Sequence, residues 1–344
     1  VRLRLALTAL LALATGPVSA DVPVPPPVAA VVDGRLTIGD AQLPVFVSKD
    51  WSQPLPDIDR AVIVVHGYER NAADYARNMM ALGPPAGTLV IAPQFLAAED
   101  IAARQLPDAV LRWPREHWSD GDPALGPAPL SAFDGFDAIL GKLTDRATFP
   151  NLAQIVLAGF SAGGQVVQRY AEVGKGEDAI PLRYVVGGPG TYAYFTDERP
   201  EPTAGCGNFN HWKYGFAGDL PPYVVAATVE AARALERRYS APFATVEGAR
   251  ALERRYTTRL VIYLVGANDT DPNHRFLDKS CAAEAQGPTR LARMQFFVAE
   301  MLRRGAGLNQ RVRVVEGTAH NEARVFGSPC GRAALFGDAN CPED

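Results

Sequence analysis

The stretch Gln154 to Gly164, QIVLAGFSAGG, restricts the fold more than any other part of the chain. Ile155 to Ala158 is a short apolar run of the kind that forms a strand buried on both faces. Gly159-Phe160-Ser161-Ala162-Gly163 follows, and Gln165 to Val173 reads as a helix. Strand, Gly-x-Ser-x-Gly, helix describes a turn so sharp that the serine backbone is strained, with flanking glycines that let neighbouring chain approach. Ser161 then projects its hydroxyl from the sheet edge, above the positive end of the following helix. The bare pentapeptide is common by chance, and the plain alternative is a Gly/Ser turn ending a strand. Its position between a buried strand and a helix is what gives it weight.

Other strands with the same character lie at Ala61–Val65, Leu89–Ala92, Tyr184–Val186, Leu260–Val265 and Val312–Val315. Helical patterns alternate with them at 69–82, 131–143 and within 286–304. That alternation implies a mostly parallel central sheet covered by helices on both faces. Leu36 to Val47 reads as a hairpin, and the proline-rich segment 21–32 as an extended leader. Residues 97–129 carry few regular signals and read as a long, functional loop. Residues 191–259 form a cap-like insertion. It is aromatic-rich at first and then holds a tandem duplication of period 17, VEAARALERRYSAPFAT followed by VEGARALERRYTT. Two copies are too few for a solenoid, and each reads as a short helix, separated by Ser240-Ala241-Pro242.

A serine hydroxyl needs a base to take its proton and a third group to orient that base. Of five histidines, His320 sits on a loop after the last strand, where an imidazole reaches across the sheet edge. His66 precedes Gly67 at an earlier strand end and is expected to shape a loop. His117, His211 and His274 are expected on the surface or lining a pocket. The acid belongs after the strand Leu260–Val265, where Asp269 is the first candidate and Asp271 the second. Backbone N–H groups of Ala162 and Tyr68 are the candidate oxyanion donors. Tyr68, Trp113, Trp118, Tyr192 and Trp212 are expected to line the pocket, because they cluster in loops, and the last four are the candidate substrate contacts.

The formal net charge of −4 gives no reason to expect a nucleic-acid partner. Arg2 and Arg4 precede an apolar run, Leu5 to Thr15, and the small-residue site Val18-Ser19-Ala20. This is the pattern of a secretory signal peptide cleaved after Ala20, which leaves residues 21–344 as one catalytic domain, exported to periplasm or medium and not held in a membrane. Export makes the four cysteines candidates for two disulfides; four allow three pairings, among which sequence does not choose, and Cys330–Cys341 with Cys206–Cys281 is the one expected from the closeness of Cys330 and Cys341 in the chain. None has metal or redox spacing. The oligomeric state is open.

With HGY at 66–68, GFSAG at 159–163, GANDTDP at 266–272 and GTAH at 317–320, the chain resembles the α/β-hydrolases, in family order. HGYERNAADY, CGNFNHWKYG and DPNHRFLDKSCA make it similar, more narrowly, to secreted esterases related to polyhydroxyalkanoate depolymerases and poly(aspartic acid) hydrolases. The resemblance implies a Ser161–Asp269–His320 triad, an acyl-enzyme intermediate and no cofactor or metal. Two substrate classes follow: carboxylic esters, small or polymeric, or the amide bonds of an anionic polymer, for which Arg70, Arg112 and Arg115 would offer positive charge. A fold retained only for binding is the third reading. The 17-residue duplication departs from the family pattern.

Overall fold

The computed structural model describes residues 24–175, 180–239, 246–305 and 307–341. The signal-peptide region and the Ser240-Ala241-Pro242 linker lie outside them. The chain opens with the expected hairpin, β1 (Arg35–Ile38) and β2 (Ala41–Val47), and continues through β3 (Arg60–Val65), α1 (Ala72–Ala81) and β4 (Thr88–Pro93). Two short pieces, β5 (Leu96–Ala97) and β6 (Arg112–Trp113), pair in parallel and flank α2 (Ala98–Arg104). Then come α3 (Ala132–Leu143), β7 (Gln154–Phe160), α4 (Ala162–Val173) and β8 (Leu182–Gly187). Helices α5 (Pro222–Tyr239) and α6 (Val246–Thr258) precede β9 (Leu260–Gly266). After it come α7 (Cys281–Glu284), α8 (Arg290–Arg303), β10 (Gln310–Val315), α9 (Glu322–Gly327) and α10 (Pro329–Leu335).

Eight strands form one sheet in the order β1-β2-β4-β3-β7-β8-β9-β10, parallel from β4 to β10 and antiparallel at the β1–β2 edge. The period of two in a strand sends alternate side chains to opposite faces. Ala61, Ile63 and Val65 of β3 therefore join one core with α3, α4, α6 and α8, while Val62 and Val64 join the other with α1, α9 and α10. Both faces are covered, which is why these strands read as unbroken apolar runs. Ser131 caps α3 reciprocally: its Oγ accepts the Asp134 N–H at 3.2 Å while Asp134 accepts the Ser131 N–H at 2.7 Å.

The segment 97–129 departs from the expected irregular loop. It contains α2, the β5–β6 pair and a 3-10 turn at Arg115–Asp120. Helix α2 escapes a periodicity reading because it is short and buries only Asp100 and Ile101. Asp100 caps it through the Ala97 N–H at 2.7 Å and also takes the Val28 N–H at 2.8 Å, which docks the extended leader.

The duplicated helices are part of the helical layer. Leu252 and Tyr256 of α6 enter the core, and the Tyr256 hydroxyl bonds Tyr263 on β9, which in turn donates to Gln310 on β10 at 2.5 Å. The aromatic part of the insertion is anchored by charge. Asp120 is held by Arg169 of α4 at 2.9 Å and by Lys213 at 3.3 Å, and its carbonyl accepts Trp212 Nε1–H at 2.6 Å.

Both expected disulfides are formed, Cys206–Cys281 and Cys330–Cys341, across 75 and 11 residues. In the loop-entropy account, the longer loop gains more from closure. Replacing Cys206 and Cys281 by serine is therefore expected to lower unfolding free energy by about 1.5 kcal/mol more than the same change at Cys330 and Cys341. Denaturant unfolding of both variants checks the order.

Candidate active site

Three backbone approaches build the turn at the end of β7. A Cβ on Gly159 would lie 2.2 Å from the Gly163 carbonyl oxygen, one on Gly163 would lie 2.3 Å from Val65 O, and one on Gly164 would lie 2.4 Å from Gly187 O. Side chains at these positions would drive β7, α4, β3 and β8 apart. Ser161 sits at the crossing with φ 59° and ψ −119°, in a region that non-glycine residues rarely occupy. Such a conformation costs of order 1–3 kcal/mol and persists only when its surroundings fix it. Here the Ser161 N–H donates to Gly187 O at 2.9 Å, and Ala162 begins α4 directly after it.

His320 follows β10 on a turn at Gly317 (φ 65°), and its Nδ1 lies 2.7 Å from Asp269 Oδ2. Asp269 rather than Asp271 meets it. Asp269 is 3% exposed, whereas Asp271 is exposed and accepts the Asn273 N–H at 2.8 Å as a turn former. Phe160 packs its ring 4.7 Å from the imidazole, so the residue before the serine positions the histidine as well. Burial lowers the His320 pKa to about 4, against the raising effect of its bond to Asp269, with Arg290 lowering it further. The ring is neutral at pH 7, with Nδ1–H on the carboxylate and Nε2 left as the basic nitrogen. Burial pushes Asp269 upward, but the bond and charge of His320 and the charge of Arg290 hold it below its ordinary value.

Sequence reasoning did not single out Arg290. It is 1% exposed, lies 3.6 Å from Asp269 Oδ1, and donates from Nη2 to Phe276 O at 3.0 Å. The only sequence signal is its position one residue after the Thr289 cap of an amphipathic helix, which marks a face and no partner.

The loop after β3 is pinned from below. His66 is fully buried, Phe95 N–H donates to its Nε2 at 2.9 Å, and its Nδ1–H reaches Gly67 O at 2.9 Å. Burial lowers its pKa to about 4, so it is a neutral spacer. Arg70 N–H also donates to Gly67 O, at 3.1 Å. Arg70 has φ 58° and is itself held by Asp100, through Nε at 2.7 Å and Nη2 at 2.9 Å. In a trans peptide the N–H points opposite to the C=O. Pinning the Gly67 carbonyl therefore aims the Tyr68 N–H.

Ser161, His320, Tyr68, His274, Arg275 and Glu322 share one cleft of about 390 Å³. Of the five aromatics expected to line the pocket, Tyr68 does, and the four expected as substrate contacts are not among its lining residues. Trp113 and Trp118 are fully buried around Phe95, with Trp118 stacked on it at 5.4 Å and edge-on to His66 at 4.7 Å. Tyr192 is fully buried and stacks on Phe297 at 4.6 Å, and Trp212 packs on Phe216. Large aromatic area in these loops is spent on packing. His274, expected to line a pocket or the surface, lines this cleft and meets His320 edge-on at 5.2 Å. His117 and His211 are exposed.

The electrostatics make a direct test. The His320 ring is expected to titrate near 4 by NMR, and Arg290→Gln is expected to raise that value, because the guanidinium charge lowers it. A wild-type value near 6.5 would contradict the burial argument.

No family model matches the chain, and no curated protein matches it by sequence. Solved structures do match. The poly(3-hydroxybutyrate) depolymerase LpqC of Bordetella parapertussis is 20% identical, with 90% of this chain and 92% of that chain covered at a TM-score of 0.60. The poly(aspartic acid) hydrolase-1 of Sphingomonas sp. KT-1 is 19% identical, with 87% and 96% covered at 0.58. These likenesses concern architecture. With its eight-stranded sheet, its strained serine turn after β7 and these structural neighbours, the chain has the α/β-hydrolase fold.

Proposed function

We propose that the chain is an exported serine hydrolase that cleaves carboxylic ester bonds, in small esters or polyester oligomers, through an acyl-enzyme. The observation that carries this reading is a strained serine facing the same cleft as a neutral imidazole bonded to a buried carboxylate. Ser161 Oγ attacks the ester carbonyl as His320 Nε2 takes its proton. Asp269 stabilises the imidazolium that forms. The oxyanion is received by the N–H groups of Ala162 and Tyr68. As the tetrahedral intermediate collapses, the C–O bond to the alcohol breaks and His320 returns the proton to the leaving oxygen. Water, deprotonated by His320, then attacks the acyl carbonyl and restores the Ser161 hydroxyl.

The cleft favours neutral esters over an anionic polymer. Arg70 is buried and bound by Asp100, and Arg70, Arg112 and Arg115 are not among the lining residues. Arg275 does line the cleft, but it faces Glu69 at 3.5 Å and shares the cleft with Glu322. The apparent run of positive charge in the sequence is thus absent from the cleft lining. Cleavage of a neutral p-nitrophenyl ester is expected to be nearly indifferent to salt, whereas steeply salt-sensitive cleavage of poly(aspartic acid) would favour the amide reading.

Ser161→Ala is expected to abolish labelling by a fluorophosphonate probe and to lower kcat for a short p-nitrophenyl ester by at least ~10³-fold. Retained labelling in that variant would overturn the assignment of the nucleophile, and an unlabelled wild-type protein would favour a binding role for the fold.

A further inference from the structure

Gly67 poses a physical problem. It precedes Tyr68, whose N–H must be held still to receive an oxyanion, yet glycine has the softest backbone of any residue. Its identity is forced by space: a Cβ there would lie 2.8 Å from Tyr75 Oη and 3.7 Å from Ser161 Cβ. The phenol that excludes a side chain also supplies the missing restraint. The Tyr75 hydroxyl stands directly against Gly67, and the ring stands in the first turn of α1, 8% exposed, lining the cleft beside Ser161.

We propose that Tyr75 is a positioning residue for the oxyanion site, acting through Gly67 on the Tyr68 N–H. Gly67 is hemmed in by the Tyr75 hydroxyl, and the peptide after it is held by His66 Nδ1 and Arg70 N on the Gly67 carbonyl. With the hydroxyl against one side and the carbonyl pinned on the other, the two soft dihedrals of Gly67 have little room to turn, and the Tyr68 N–H direction is set before substrate arrives. Preorganised donors stabilise a developing oxyanion because they need no reorientation during reaction. Burial dominates the environment of the phenol and, with the nearby charge of Glu322, strongly raises its pKa, so it stays a neutral hydroxyl through the working pH range.

This inference rests on the proposed acyl-transfer chemistry, and the test separates the two. Tyr75→Phe keeps the ring and removes only the hydroxyl that stands against Gly67. It is expected to lower kcat for a p-nitrophenyl ester roughly 10- to 100-fold, below the ~10²–10³-fold loss for a deleted oxyanion donor. KM is expected to stay within about twofold, because the ground-state carbonyl makes less use of the donors. Affinity for an alkyl boronic acid, which forms a tetrahedral adduct on Ser161, is expected to fall by the same factor as kcat. Fluorophosphonate labelling of Tyr75→Phe at long times, and a near-ultraviolet circular dichroism spectrum close to wild type, report that the serine site is still folded. Gly67→Ala provides the second arm: its loss of kcat is expected to be smaller in the Tyr75→Phe background than in wild type, because the atom it strikes has gone. Wild-type kcat in Tyr75→Phe, or a loss confined to KM, overturns the proposal. Full activity in Ser161→Ala overturns the underlying chemistry instead.

Discussion

The structure depends on a close approach of backbones with no side chains between them. At the crossing of β7 and α4, carbonyl oxygens of Gly163, Val65 and Gly187 occupy the places where Cβ atoms of Gly159, Gly163 and Gly164 would stand. That packing locks β3, β7 and β8, the centre of the sheet, to the first turn of α4. The strain stored at Ser161 is sustainable only because this contact is so tight. A looser turn would let φ relax to negative values and withdraw the hydroxyl from the cleft. The sheet core and the proposed chemistry are in this sense one constraint: the same glycines that close the core hold the serine out.

Electrostatics complete what the turn begins. An imidazole beside a carboxylate in water would have its protonated form favoured, and a protonated base cannot accept a serine proton. Here burial and the Arg290 charge oppose that pull on His320. Arg290 also lies 3.6 Å from the second oxygen of Asp269, so the carboxylate has the imidazole N–H on one oxygen and a guanidinium beside the other, and stays ionised although it is buried. A buried carboxylate with one partner removed is costly. The arginine therefore allows the acid to be sequestered from water, which is what gives its hydrogen bond a fixed direction.

The serine turn was legible in the sequence because glycine and serine at those spacings have few alternative uses between an apolar run and a helix. The parallel sheet was legible for a similar reason, since strands buried on both faces leave an unbroken apolar signature. Choosing Asp269 over Asp271 was a matter of register on one loop, which backbone geometry decides: Asp269 N–H returns to Gly266 O at 3.0 Å, while Asp271 turns outward to Asn273. Arg290, Tyr75 and the pairing of Arg70 with Asp100 were not legible. Each acts through a partner between 8 and 30 residues away, and nothing local in Arg70, one of three candidate cations for an anionic substrate, says that its charge is consumed by Asp100. Helix α2 was missed for a related reason, because its stability comes from one buried carboxylate that three chain segments share.

The misplaced tryptophans show how a loop rich in aromatics can serve a site without touching its contents. Trp118 stacks on Phe95 at an interplanar angle of 10° and meets His66 edge-on, and Trp113 and Phe136 close on Phe95 from other directions. Phe95 N–H is the donor that sets the His66 tautomer, and His66 Nδ1–H is one of the two groups that pin the Gly67 carbonyl. Displacing any of these rings would tilt the imidazole, and a tilted imidazole would release the carbonyl whose direction aims the Tyr68 N–H. Rigid aromatic packing thus holds the loop in place over several residues, at positions sealed from the cleft. The surface left to meet a substrate is more polar, with Asn71, Asn78 and Asn321 beside Tyr68 and Phe276. These amides are themselves engaged, Asn71 Nδ2 donating to Asp74 at 3.1 Å, Asn78 Nδ2 to Glu322 at 2.8 Å and Asn321 Oδ1 accepting the Arg324 N–H at 2.9 Å, so the polar lining is held in place by the chain rather than left waiting for a partner.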